Sequence, residues 1–296
     1  MTKVLSGREL AGFIKERQDH EVKMLRSNKI HPKLVIVRDS NNPVITKYVD
    51  LKRQYGEDIG IEVVDEFVDE SDPAERLKKL HEVVRAAAAD DTVSGIIVEL
   101  PLIDQDTTDE IVADIPAIKD VDGLSNTYSD LVEHEDGLIT IDNPDTREHH
   151  FDSATATAIL WLLAGHNIDV EGKHIAVVGR GKLVGRPLMS MWTKSGNTVH
   201  VFHRGSDFSK LKDFDVIVTA TGAPHLITSE MIRPGAVVVD AGTASEQGKL
   251  VGDISDEIRA RNDLGAITPK VGGVGPLTIN VLFENVIIAA SKQHKK

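Results

Sequence analysis

Short runs rich in branched apolar residues, alternating with segments of helical spacing, constrain this chain more than any other feature. Gly95-Ile96-Ile97-Val98 is the clearest of them. It has no polar side chain, as expected of a strand buried on both faces of a parallel sheet. Lys33 to Val37 is a short apolar run rich in branched residues, and Ile61 to Val68 also reads as a strand. Between them lie Val44 to Asp58, with helical spacing and Gly60 as its C-cap, and Pro73 to Ala89, which gathers Leu77, Leu80, Val83 and Val84 on one side. The order β-α-β-α-β predicts a parallel sheet with right-handed crossovers.

A second alternation follows. Ser153 to Leu163 reads as an apolar helix, Lys173 to Val178 as a strand and Pro187 to Ser195 as a helix. Thr198 to Phe202, Val216 to Thr219 and Ala236 to Asp240 are further strands, giving the pattern of a doubly wound dinucleotide domain. Thr278 to Ala290 is an apolar helix expected to return to the first domain. The stretch from Ser129 to His150 is polar and turn-rich and is read as the junction. A chain of 296 residues is comfortable for two such domains. The expectation is a two-domain α/β protein: residues 1–145, completed by 271–296, with a parallel sheet, and residues 146–270, Rossmann-like.

Gly179-Arg180-Gly181-Lys182-Leu183-Val184-Gly185 lies between a strand and a helix. Its glycines allow a tight turn and a close approach of backbone N–H groups to a pyrophosphate. The spacing is one residue longer than the common fingerprint, and a structural turn can carry glycines too. The next strand sharpens the reading. It ends in His203-Arg204 rather than in the acidic residue that holds the ribose hydroxyls of NAD. With Arg180 nearby, Arg204 suits the extra phosphate of NADP.

Bulk properties remove other classes. The formal net charge of -13 argues against a nucleic-acid partner or an anionic membrane surface. The chain has no cysteine, which removes disulfides, thiolate nucleophiles and Cys-based zinc sites, and no metal site is expected. The N-terminus lacks an apolar signal core, and no apolar run is expected to approach the roughly 20 residues of a membrane helix. A cytoplasmic protein is the expectation.

Tyr48 and Lys52 stand one helical turn apart on a single face, where they could exchange protons or position a water. As an isolated pair they match many solvated helices. Glu99-Leu100-Pro101-Leu102 ends a buried strand, at the edge where open α/β sheets place ligands. Lys119-Asp120-Val121-Asp122-Gly123 is a compact acidic turn, and Gly272-Gly273-Val274-Gly275-Pro276-Leu277-Thr278 is a loop unusually rich in glycine.

In their order and spacing these motifs resemble the bifunctional methylenetetrahydrofolate dehydrogenase/methenyltetrahydrofolate cyclohydrolase family, nearly end to end. The resemblance implies oxidation of methylenetetrahydrofolate with NADP, then hydrolysis of the methenyl product to formyltetrahydrofolate. It implies Lys52 as the key catalytic group, with Tyr48 stacking on or orienting the folate and Asp122 binding the pterin. Glu99 completes the catalytic set. Val98, Leu100, Gly272, Gly273, Gly275 and Pro276 are expected at the folate site. Gly179, Arg180, Gly181, Lys182, Val184, Gly185, His203, Arg204 and Thr243 are expected at the cofactor. The implied assembly is a homodimer paired through the nucleotide domains.

The departures from the family pattern are specific. Glu99 stands where the family has Gln, and Gly181 where it has Ser. Ser153-Ala154-Thr155-Ala156-Thr157-Ala158 replaces Pro-Cys-Thr-Pro-x-Gly, and Pro269-Lys270-Val271 replaces Pro-Val-Pro. A carboxylate beside an amine favours the ammonium form, which is a poor base for activating water. Hydride transfer needs mainly proximity and orientation. Glu99 is therefore expected to weaken the hydrolytic step more than the oxidative one, unless it serves as the base itself. A two-domain NADP oxidoreductase resembling shikimate dehydrogenase and a non-catalytic folate-binding paralogue are the competing readings.

Overall fold

The computed structural model describes residues 1–126, 128–142, 151–242, 244–246 and 249–294, and of residues 244–246, 249 and 250 the backbone alone. The chain begins with β1 (Lys3–Val4) and a long helix, α1 (Gly7–Ser27). The first alternation follows as β2 (Lys33–Arg38), α2 (Pro43–Ile59), β3 (Glu62–Phe67), α3 (Pro73–Ala89) and β4 (Gly95–Val98). A short α4 (Thr108–Val112) leads to a hairpin of β5 (Leu131–Glu133) and β6 (Leu138–Ile141). The second alternation runs α5 (Ala154–Gly165), β7 (Ile175–Val178), α6 (Gly185–Lys194), β8 (Val199–Phe202), β9 (Val216–Thr219) and β10 (Val237–Asp240). Last come β11 (Ala244–Glu246), β12 (Lys249–Val251), α7 (Asp256–Arg259), β13 (Ala266–Ile267) and α8 (Val274–Gln293).

These elements divide into two compact units. One holds Gly12–Asn126, Glu148–Ala154 and Ile279–Lys296. Its sheet has the order β3-β2-β4, all parallel. Leu34, Ile36 and Val37 of the central strand are fully buried, each contributing about 1.5–3 kcal/mol of apolar burial. The helices around this sheet are closed as their sequences predict. Asn42 accepts from the Val44 N–H at the start of α2, and Gly60 ends it in the left-handed conformation at φ 80°. Asp72 caps α3 through the Glu75 N–H.

The other unit holds Met1–Ala11, Thr127–Arg147 and Thr155–Thr278. Its sheet has the order β1-β13-β10-β9-β7-β8-β6-β5, parallel from β1 to β8 and antiparallel at the β6 and β5 edge. Strand β8 flanks β7 on one side, and β9 then β10 on the other. The order thus reverses at β7, the place where such sheets open a crevice for a ligand.

Three expectations need correction. The stretch read as a junction pairs instead with the second sheet: Leu138 lies opposite His200, and β5 opposite β6. Residues assigned to the first domain therefore pack with the second. Helix α8 starts at Val274 rather than Thr278, because Pro276 is tolerated in a first turn where its missing N–H has no intrahelical partner. An 18-residue stretch of its 20 residues has a mean hydropathy of 1.5, long and apolar enough to cross a membrane by length and composition. Asn280, Glu284 and Asn285 interrupt the apolar run without lowering that average far. More than half of the span is buried inside the protein, and Gln18 donates to the Asn280 carbonyl at 2.8 Å, as in a core helix.

Candidate active site

Strand β2 hands the chain to α2 through a loop, and β4 ends at Glu99, whose N–H donates to the Val37 carbonyl at 2.8 Å. That ladder bond sets the Glu99 side chain at the carboxyl edge of the sheet. Lys52, projecting from α2, meets it there: Lys52 Nζ and Glu99 Oε2 form an ion pair. The two side chains are only 12% and 10% exposed, so solvent screens the pair weakly.

Tyr48 lies one turn before Lys52 and is half-buried. Burial, and then the charge of Glu99, push its phenol above the ordinary range. Asp122 completes the cluster. Burial drives its carboxyl up to about 7, the charges of Asp120 and Glu99 add to this, and Lys52 and the Ala154 N–H oppose it. The four residues expected to do chemistry thus share one electrostatic neighbourhood, with Lys52 as the cation among three acidic groups.

The acidic turn sorts into distinct tasks. Lys119 donates to the carbonyls of Ala88 and Asp90 at 2.8 and 2.7 Å, closing the end of α3, and burial lowers its pKa. Asp120 accepts from the Leu124 and Ser125 N–H groups and the Ser125 hydroxyl, bending the chain after the turn. Asp122 is the member left facing Lys52. Upstream, Asp39 is buried and accepts from the Ile103 N–H at 3.1 Å, which fixes the segment after Glu99. Val98 is buried in β4 as a packing residue, whereas Leu100 is partly exposed.

In the other unit, Gly179 follows β7 at φ 106°, and a Cβ there would stand 2.6 Å from the Ala220 carbonyl. A Cβ on Gly185 would stand 2.2 Å from the Gly179 carbonyl. Both glycines are required by the turn. Gly181 has nothing within 4 Å of its Cβ position, so the middle of the turn is open. Helix α6 starts at Gly185, and Val184 before it provides no side-chain cap. An uncapped helix start, an open glycine and the cations of Arg180, Lys182 and Arg204 fit a dinucleotide pyrophosphate and its extra phosphate. His203 follows β8 and is partly exposed. Thr243 lies outside the described residues.

Gly272 and Gly273 belong to this second unit, and packing accounts for Gly272 and for Gly7 against Gly273. A Cβ on Gly272, at φ 85°, would meet Arg8 Nε at 2.5 Å. A Cβ on Gly7 would meet the Gly273 carbonyl at 2.0 Å, while the Gly7 N–H donates to Gly272 at 2.9 Å. Gly275 and Pro276 lie in the first turn of α8. The part of these residues at a folate site belongs to the functional proposal.

One charged residue at the cofactor end escapes the sequence reading. Glu133, the last residue of β5, bonds both Arg180 and His203. The hairpin that carries it shows in sequence only at its turn dipeptide, Asp136-Gly137, because its strands are short and of mixed polarity.

Comparison with known proteins adds to this geometry. The family described as "Tetrahydrofolate dehydrogenase/cyclohydrolase, catalytic domain" matches residues 5–122, and "Tetrahydrofolate dehydrogenase/cyclohydrolase, NAD(P)-binding domain" matches residues 153–294. The bifunctional protein FolD of Staphylococcus saprophyticus is 36% identical over 98% of this chain and 97% of its own. The crystal structure of the bifunctional FolD methylenetetrahydrofolate dehydrogenase/cyclohydrolase of Campylobacter jejuni aligns with a TM-score of 0.82 at 30% identity, covering 99% of each chain. That of Trypanosoma brucei FolD, complexed with NADP and an inhibitor, aligns at 0.83 and 25% identity, covering 100% of this chain and 99% of its own.

Proposed function

The chain belongs to the tetrahydrofolate dehydrogenase/cyclohydrolase family, and from that premise we propose that it oxidises methylenetetrahydrofolate with NADP and hydrolyses the methenyl product to formyltetrahydrofolate, the second step slowed by Glu99. The observation that carries the proposal is the ion pair of Lys52 with Glu99 beside Tyr48 and Asp122.

Bound NADP would supply the acceptor for a hydride from the one-carbon bridge of the folate, and Arg180, Lys182 and Arg204 would hold its phosphates. The residues of this chain then act on a cationic methenyl group. Glu99 and Asp122 offer negative charge near it, which favours the oxidised product. Asp122 binds the pterin through its carboxyl. Tyr48 supplies a ring for the folate to stack on and a hydroxyl on the Lys52 face. Hydrolysis needs a water, a group to take its proton and opening of one C–N bond. Lys52 is the amine placed for the proton, and its ion pair with Glu99 competes with that role. Oxidation needs no such base, so the oxidative step is the better preserved.

Val98 and Leu100 are folate-site residues in this reading, and the family pattern carries Gly272, Gly273, Gly275 and Pro276 over as folate residues as well. Gly179, Gly181, Gly185, Val184 and Thr243 approach the pyrophosphate and nicotinamide, and Arg180, Lys182, His203 and Arg204 the phosphate end. The unit built around β7 to β10, with the β5–β6 hairpin at its edge, is the working nucleotide domain in this reading. A homodimer in the cytoplasm completes the proposal, and light scattering on the purified protein tests the assembly.

One reaction mixture tests the activity. Protein, methylenetetrahydrofolate and NADP are combined, and NADPH and the methenyl intermediate are followed separately. The proposal expects NADPH with methenyl product accumulating above its nonenzymatic decay. NADPH without accumulation removes the weakened second step, and no NADPH at all removes the dehydrogenase.

A further inference from the structure

The β5–β6 hairpin is fastened to the end of the strand that precedes the cofactor's phosphate residues. Val201 donates its N–H to the Gly137 carbonyl at 2.8 Å, and Leu138 lies opposite His200. Gly137 has φ 86°, and a Cβ there would stand 2.8 Å from the Val201 carbonyl. The hairpin turn therefore lies backbone against backbone beside β8. Glu133 pairs across the hairpin with Ile139, which sets its side chain over the strand ends.

There its carboxylate bridges two elements. Glu133 Oε1 lies 2.6 Å from His203 Nε2, just past β8, and Oε2 lies 3.4 Å from Arg180 Nη1, just past β7. A dinucleotide in a doubly wound sheet places its adenosine ribose beyond the end of the second strand. An acidic side chain there accepts from the ribose hydroxyls of NAD, while arginines there bind the 2′-phosphate of NADP. This chain has both signs. The arginines come from the nucleotide motif, and the acid arrives from a different part of the chain.

We propose that Glu133 sets the cofactor preference. Its carboxylate pairs with the Arg180 guanidinium and engages His203 Nε2, so it repels the 2′-phosphate and leaves an acceptor for an unphosphorylated ribose. Preference for NADP over NAD is thereby narrowed, and removing the charge widens it. The inference rests on the proposed use of this unit for a nicotinamide dinucleotide, but its test does not need the folate reaction.

The experiment is calorimetric titration of the full-length protein and of Glu133→Gln with 2′,5′-ADP and with 5′-AMP, which lacks the 2′-phosphate. Glu133 is exposed, and thermal melting of the two proteins confirms the fold; Glu133→Ala serves as a second variant. The expected result is a gain of roughly five- to twenty-fold in 2′,5′-ADP affinity, from removing one negative charge beside a doubly charged phosphate in a solvated site. The 5′-AMP affinity stays within about threefold, as no phosphate charge is added there. Adding Arg180→Gln to Glu133→Gln abolishes the gain. Equal gains for both ligands, no gain for 2′,5′-ADP, or binding of neither ligand by any variant overturns the proposal. Binding as expected in a protein that does not turn over methylenetetrahydrofolate upholds Glu133 and rejects the reaction instead.

Discussion

Lys52 and Glu99 form an ion pair with both side chains almost wholly out of solvent, across the space between α2 and the end of β4. The family pattern places a neutral amide where this chain has Glu99. The change leaves the geometry of a hydrogen-bond acceptor and adds a full charge, and that charge reaches into both chemistry and stability.

Glu99→Gln is expected to raise the steady-state rate of methenyltetrahydrofolate hydrolysis by about tenfold or more, within the range a general base contributes. The dehydrogenase rate should stay within about threefold, because orientation of the two ligands is unaffected. Loss of the methenyl absorbance, corrected for nonenzymatic decay, is the measurement. A fall in hydrolysis would make Glu99 the base itself.

Lys52→Met should abolish enzymatic hydrolysis and also cost about 3 kcal/mol of stability in urea unfolding, because it leaves Glu99 buried without a cation. The double variant Lys52→Met/Glu99→Leu should recover most of that stability and none of the activity. Additive losses would mean that the pair is more solvated than its exposure indicates.

Asp122 links pH to stability with a definite sign. Its carboxyl rises from 3.8 to about 7 in the folded protein, chiefly through burial. Below about pH 4 it is protonated in folded and unfolded chains alike. Between about 4 and 7 the unfolded chain ionises first, so this group's contribution falls as pH rises, and above about 7 the deficit is constant. Relative to wild type, Asp122→Asn should therefore gain stability across that window and keep a fixed advantage above it. Urea midpoints of both proteins from pH 4 to 8 read this difference directly. A constant difference over the window would show that Asp122 titrates like a free carboxylate.

The cofactor turn separates two glycines that look alike in sequence. Gly185→Ala forces a Cβ against the Gly179 carbonyl and should cost about 2 kcal/mol or more and weaken dinucleotide binding by at least about tenfold. Gly181→Ser meets no atom within 4 Å and supplies the hydroxyl of the family pattern. It should leave the melting temperature within about 2 °C and tighten NADP binding by about two- to fivefold, the worth of one hydrogen bond. Melting curves and NADP titrations of the two variants check both.

Strands such as β4 and β9 are legible because a fully buried parallel strand draws a near-continuous run of branched apolar residues, and their sequence bounds coincide with the observed ones. The site on α2 is legible through its pairing with Glu99, since a strand end and a helix face are places sequence can locate. The Lys119 to Gly123 motif is legible only as a block. Its division of labour depends on which carbonyls and N–H groups come within reach after folding, and local sequence carries no such information. The β5–β6 hairpin is hidden for a different reason. Its strands are short and of mixed polarity, and what makes them strands is the exposed edge of β8, contributed by a segment far along the chain. Gly272 likewise answers to Arg8, a packing demand from the opposite end of the sequence.

The bridge from Glu133 to Arg180 spans 47 positions of sequence. Cofactor choice in this chain is thereby written partly outside the phosphate motif from which it is usually read. Inheritance can retune it by drift in a surface hairpin, while every glycine and arginine of the motif stays unchanged.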